Sequence, residues 1–305
     1  MIVRDKPSAW QLLFVMRGSI VPTIAPRLAF VTVLSVIVVA LQGAGLVHLH
    51  DLAALPFSVI GIALSIFAGF RNSACYDRWW EGRKVFGQLL VDVRSLARQQ
   101  IAYLGAGDAA AARRGAFRAV AMAHLLRDYM RGLRPGADAL AALAEGDASA
   151  VAAARNPCNM LLALISRDAA LAVASGVLTP QALWTVEERV VSLSAVVAAA
   201  ERINNVPVPY TYSLILHRTA YLFCLLLPFG LAAPAGLWTP LIVLVVSYTF
   251  FGLDALGDEL ERPFSTMQNG LPIDAMARGM EIDVREMLGD PALPEPLRPV
   301  DFVLT

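Results

Sequence analysis

Three stretches of this chain carry no Lys, Arg, Asp or Glu: the residues between Arg27 and Asp51, Leu52 to Phe70, and Thr219 to Leu253. A chain crossing a bilayer must satisfy its own backbone hydrogen bonds, and a helix does so with about 20 apolar residues. The first two runs each fit one span, near 27–47 and 55–70. The third is long enough for two, near 214–233 and 237–253, with Pro228, Gly230, Pro234, Gly236 and Pro240 breaking it in the middle. Apolar helices in a large soluble core share this pattern, but the run lengths and missing charges favour the membrane. The expected fold is an all-α membrane protein with four transmembrane helices in two hairpins. They flank a helical block over 71–213, and a C-terminal segment over 254–305 follows. The whole is read as one domain.

Hydrophobic residues make up 57% and charged residues 16%, with a net charge of zero, so the chain is neither disordered nor a basic nucleic-acid binder. Pro7, Arg17, Pro22, Pro26 and Arg27 interrupt the N-terminal apolar residues, unlike a signal peptide. Trp10–Met16 reads as a short interfacial segment. Arg4, Lys6, Arg17 and Arg27 precede the first span; Arg71, Arg78, Arg83 and Lys84 follow the second; Val47–Ala54 has no Lys or Arg. The bias of basic residues toward the cytoplasm then puts both termini and the central block on the cytoplasmic side.

The central block reads as helices. Phe86, Leu89, Val93 and Leu96 recur at spacings of three and four, as do Phe117, Val120, His124 and Leu125. Thr179 and Pro180 suit the cap and first position of another helix. Gly105–Asp108 and Arg134–Asp138 read as turns. Residues 71–135 carry twelve basic and five acidic side chains, and 254–305 four basic and eleven acidic. An acidic C-terminal segment docked on basic helices, of its own or a neighbouring subunit, accounts for that asymmetry.

No phosphate-binding glycine loop, nucleophile elbow or zinc-protease motif occurs, and no enzyme or cofactor is expected. Cys75, Cys158 and Cys224 are far apart and suit free, buried thiols. His48 and His50 beside Asp51 could hold a metal, although a loop His pair is more often solvated. His124, on an apolar stripe, reads as a satisfied core histidine. Ile62, Ile66 and Phe70 lie four apart on one face of the second span, with Gly61, Ser65 and Gly69 beside it. Such a stripe packs in a core, faces lipid, or forms an apolar constriction that gates by dewetting.

The run PFSVIGIALSIFAGFRNSACYDRWWEGRK, the later VPVPYTYSLILHR and the DELERPF segment resemble the bestrophins, most of all their bacterial members. The resemblance covers nearly the whole chain. It implies a homopentameric ion channel in a lipid bilayer, passing small monovalent ions, with the second span lining the pore. The family's apolar neck falls on Ile62, Ile66 and Phe70. Its cytosolic aperture falls on Gln181, within one position, and Asn72 lies next to the pore. Animal bestrophins carry an acidic calcium-binding run after their Pro-Phe pair. Here Pro263-Phe264 is followed by Ser265–Gly270 without a carboxylate, so no calcium site is expected. Chloride and other anions are the animal family's cargo, and a cation-selective pore stays open for this chain. A secondary transporter is the competing reading, opposed by the absence of ionisable residues within the first two spans. A membrane-anchored scaffold or signalling protein is the third.

Overall fold

The computed structural model describes residues 1–4, 8, 10, 15–16, 18–47, 54–105 and 107–305. The protein is helical throughout these residues, with only isolated bridges of β type near the termini. It divides into two compact units. The first, the apolar unit, comprises Arg4–Trp79 and Pro207–Arg262. The second, the helical block, comprises Met1–Val3, Trp80–Val206 and Pro263–Thr305.

In the apolar unit, α1 (Val21–Gly43) begins with Pro22 in its first turn and runs through Pro26 without a break. Helix α2 (Ala54–Leu104) has 51 residues. At 1.5 Å per residue it is about 77 Å long, more than twice a hydrocarbon core, so much of it lies outside any bilayer. Its residues up to Trp79 belong to the apolar unit and the rest to the helical block. Helix α8 (Tyr210–Ala235) and helix α9 (Thr239–Leu260) are joined by a single 3-10 turn, Gly236–Trp238. Here the structure differs from the sequence expectation. Pro228 and Pro234 lie inside α8, which ends only at Gly236, where φ is +52°. Neighbouring helices tolerate the lost N–H of a proline in an apolar helix, whereas the left-handed backbone at Gly236 turns the chain. Ile24, Leu28 and Val31 of α1, Leu64 of α2, Leu216, Phe223 and Leu227 of α8, and Val243, Phe250 and Phe251 of α9 form one core. Phe223 meets Phe250 edge-on at 5.4 Å, a favoured aromatic geometry.

The helical block contains the rest of α2, α3 (Ala109–Met130), two short helices α4 (Ala137–Ala141) and α5 (Glu145–Ala153), α6 (Pro157–Ala174), α7 (Pro180–Asn205) and α10 (Ile273–Met287). Three N-caps are sequence-encoded. The Asp108 carboxylate accepts from Ala111 N at 2.8 Å, Asn156 Oδ1 from Asn159 N at 3.0 Å, and Thr179 Oγ1 from Ala182 N at 3.2 Å. Phe86, Leu89, Val93 and Leu96 are fully buried, as their spacing requires. Gly82 lets α2 lie against the Pro263–Phe264 corner, since a Cβ there would come within 3.2 Å of both residues.

Helix α6 is long and apolar enough to cross a membrane by composition alone. It carries Arg167 and Asp168, and Asp168 pairs with Arg118 of α3 at 2.7 Å. A paired charge packed against a soluble helix assigns α6 to the block.

The C-terminal segment is acidic and docks on the chain's own basic helices. Asp283 of α10 pairs with Arg94, Asp290 with Arg113 at 2.8 Å, and Asp274 with Arg131 at 2.6 Å. Within this segment, Ile273, Ala277, Met280 and Val284 of α10 make a helical apolar face that is fully buried. The chain then returns to its start. Val3 N donates to Phe302 O and Leu304 N to Met1 O, each at 2.8 Å.

Candidate pore-lining face

Leu64, Arg71 and Cys75 are the buried residues of α2 within the apolar unit, and they fix the face that meets their own subunit. At 100° per residue, Ile62, Ile66 and Phe70 lie about 160°, 200° and 240° around the helix from Leu64. They therefore point away from that core. Their side chains are 64%, 51% and 64% exposed. The structure thus brings these three onto one uncovered face. Of the small residues beside it, Gly61 packs on Phe223, whose ring would lie 3.3 Å from a Cβ, while Gly69 meets nothing within 4 Å. The Ser65 hydroxyl donates to Gly61 O at 2.8 Å, which satisfies it within the helix.

Asn72 sits to the side of this face, about 80° from Leu64. Its amide donates to Ala68 O at 3.0 Å, and its Oδ1 is buried without a partner among the described residues. Gln181 is in the helical block, exposed in the first turn of α7 that Thr179 caps. His48, His50, Asp51 and most of the Trp10–Met16 segment lie outside the described residues. His124 is fully buried. Arg127 can only donate, so His124 Nδ1 accepts from it at 3.1 Å, and the ring proton on Nε2 reaches Glu281 at 3.1 Å.

Sequence reasoning passed over a polar cluster at the end of the charge-free run. Arg71 is 2% exposed. It reaches Asp254 Oδ1 at 3.3 Å, Asp258 Oδ1 at 2.5 Å and Glu261 Oε2 at 3.6 Å. His217 Nδ1 lies 2.7 Å from Asp254 Oδ2, and Arg78 donates to Glu261 O at 2.8 Å. Gly257 makes room, because a Cβ there would stand 2.8 Å from Arg71 Nη1. The signal was present: Arg71 ends the second charge-free run and Asp254 ends the third. Opposite charges at the same end of neighbouring apolar helices pair, since leaving either alone near hydrocarbon is costly.

Residues 1–286 match the family model of the bacterial/fungal bestrophin protein. A protein of Mesorhizobium japonicum named as a voltage-dependent anion channel-forming protein is 41% identical over 290 residues, covering 95% of this chain and 93% of its own. An Escherichia coli protein of the same description is 39% identical and covers 98% of both chains. Among solved structures, a bacterial bestrophin homologue from Klebsiella pneumoniae superposes with a TM-score of 0.78 at 35% identity, covering 87% of this chain and 98% of that one. A crystal structure described only as a membrane protein reaches 0.82 at 36% identity, covering 87% of this chain and 98% of that one. The chain is a membrane protein of the bacterial and fungal bestrophin family, a family of ion channels and not of enzymes.

Proposed function

We propose that five copies of this chain form a channel for small monovalent ions across the bacterial inner membrane. Both termini are cytoplasmic. The Ile62, Ile66 and Phe70 rings form an apolar neck, Asn72 lies beside the pore, and Gln181 rings a second, wetter constriction at the cytosolic side. One observation carries the reading: these three large apolar side chains share a face of α2 turned away from their own subunit's core. A single such face cannot enclose a pore, and a ring of copies can. The neck contains no charged side chain, so it discriminates by the cost of dehydration more than by sign. The names of the relatives point to anions. Reversal potentials in asymmetric salt separate anion from cation passage.

Successive rings four residues apart stand about 6 Å apart along the axis. An ion entering them sheds water and finds no oxygen in exchange. Ile66→Ala, at the middle ring, widens the neck and admits water. It is expected to raise single-channel conductance or open probability while the assembly stays intact. If the face instead packs in a core, each truncation costs about 2–5 kcal/mol, with lower yield and no gain in current. If it faces lipid, neither yield nor current changes. Measuring yield and current for Ile62→Ala, Ile66→Ala and Phe70→Ala separates the three, and a set with no gain in any current overturns the neck.

A further inference from the structure

Within the helical block, the last turns of α2, the first turns of α3, α6 and the start of α7 enclose a cavity of about 430 Å³. That volume falls in the range of small-molecule sites. Most of its lining is apolar, including Leu104, Ile165 and Leu178. Polar side chains interrupt it, among them the carboxylates of Asp108, which accepts from Ala111 N, and Asp168, which pairs with Arg118, and two amides. Gln100 is 7% exposed and lines the cavity without a hydrogen bond among the described residues. Gln99 also lines it, and its Oε1 is buried with no partner. Buried acceptors are normally satisfied, so the unpartnered Gln99 Oε1 indicates a missing partner. Gly115 helps build the site: a Cβ there would stand 2.4 Å from Gln100 Oε1.

The cations differ in an informative way. Arg118 is buried and already paired with Asp147 at 2.6 Å and Asp168 at 2.7 Å. Arg114, one turn earlier on α3, also lines the cavity, is exposed, and makes no ion pair among the described residues. The cavity therefore offers a free guanidinium, an apolar interior, an unused amide N–H and an unused carbonyl oxygen. We propose that it is a binding site for a small hydroxylated aromatic carboxylate. The carboxylate meets Arg114 and the Gln100 N–H, the ring lies among Leu104, Ile165 and Leu178, and the hydroxyl donates to Gln99 Oε1. Leu178 directly precedes the Thr179 cap, so the ligand seats beside the turn that carries Gln181.

The test is calorimetric titration of the full-length assembly in detergent with 4-hydroxyphenylacetate, with phenylacetate and tyramine as comparisons. Saturable binding of 4-hydroxyphenylacetate is expected, weaker for phenylacetate, and absent for tyramine, whose ammonium meets Arg114. Arg114→Gln and Gln100→Leu should each weaken binding about tenfold or more. Arg113→Gln removes a neighbouring cation that does not line this cavity and should leave binding unchanged. Ile66→Ala should also leave it unchanged, so the site stands or falls apart from the neck. Arg114 is exposed, so its variant tests the site without risk to folding. No saturable binding below about 10 mM, equal affinity in the Arg114 and Gln100 variants, or tyramine binding as tightly as the acid would each overturn the proposal.

Discussion

Arg71 is the residue on which the apolar unit's polar end depends. Its guanidinium is buried, and so is Asp254, while the Asp258 side chain is 60% exposed. Removing one member of a buried pair leaves an uncompensated charge, whereas a largely exposed partner is already solvated. Arg71→Met should therefore cost about 3–5 kcal/mol. Asp258→Asn should cost less than about 1 kcal/mol. Thermal midpoints of the two variants in detergent check the contrast, and equal midpoints would refute it. Gly257→Ala should fall toward the Arg71 variant, because its Cβ displaces Nη1 from Asp254.

At the scale of elements, α10 is held by a buried network whose charge responds to acid. Glu281 accepts from His124, and Arg278 and Arg285 reach it at 3.5 Å and 2.9 Å. The His124 hydrogen bond, then the two guanidiniums, hold its carboxyl below the ordinary 4.5 against the opposing effect of burial. The folded value lies below the unfolded one, so this stabilisation is complete above pH 4.5 and is lost as pH falls through the folded value. The thermal midpoint should drop on acidification below that point, and Glu281→Gln should flatten the drop while lowering stability at neutral pH. A variant with the same acid limb as the parent would show that other carboxylates dominate. The same helix covers α3, so its loosening should also expose amides of α3 to hydrogen exchange.

At the scale of the whole molecule, a channel reading requires several copies. Mass measurement in detergent should give five times the 32.8 kDa subunit. A stable monomer or dimer would remove the pore. With cysteine introduced at His50 or Ala235, an impermeant reagent should label from outside, and protection of both would reverse the topology. Bilayer currents should not respond to micromolar calcium, because the turn after Phe264 offers no carboxylate until Asp274, and Asp274 is engaged by Arg131. Activation by calcium that a chelator abolishes would place ligands elsewhere in the assembly.

The membrane class, the apolar helices and the family were legible in the residues themselves. Runs without charge report on solvent, and helical spacing reports on faces, because both are local properties of the chain. The cap at Thr179 belongs to the same local chemistry, as does the stripe of Ile62, Ile66 and Phe70. What the stripe faces was not local: Leu64 and Arg71, on the far side of α2, pack and pair with residues of α8 and α9, more than a hundred residues away. The passage of α8 through Pro228, the Arg71 cluster, the pairing of Met1 and Val3 with the C-terminus, and the cavity around Gln100 are likewise contacts between segments distant in sequence. Periodicity shows which side of a helix is apolar. Only packing decides which neighbour takes that side, which charge finds a partner, and which buried amide is left without one.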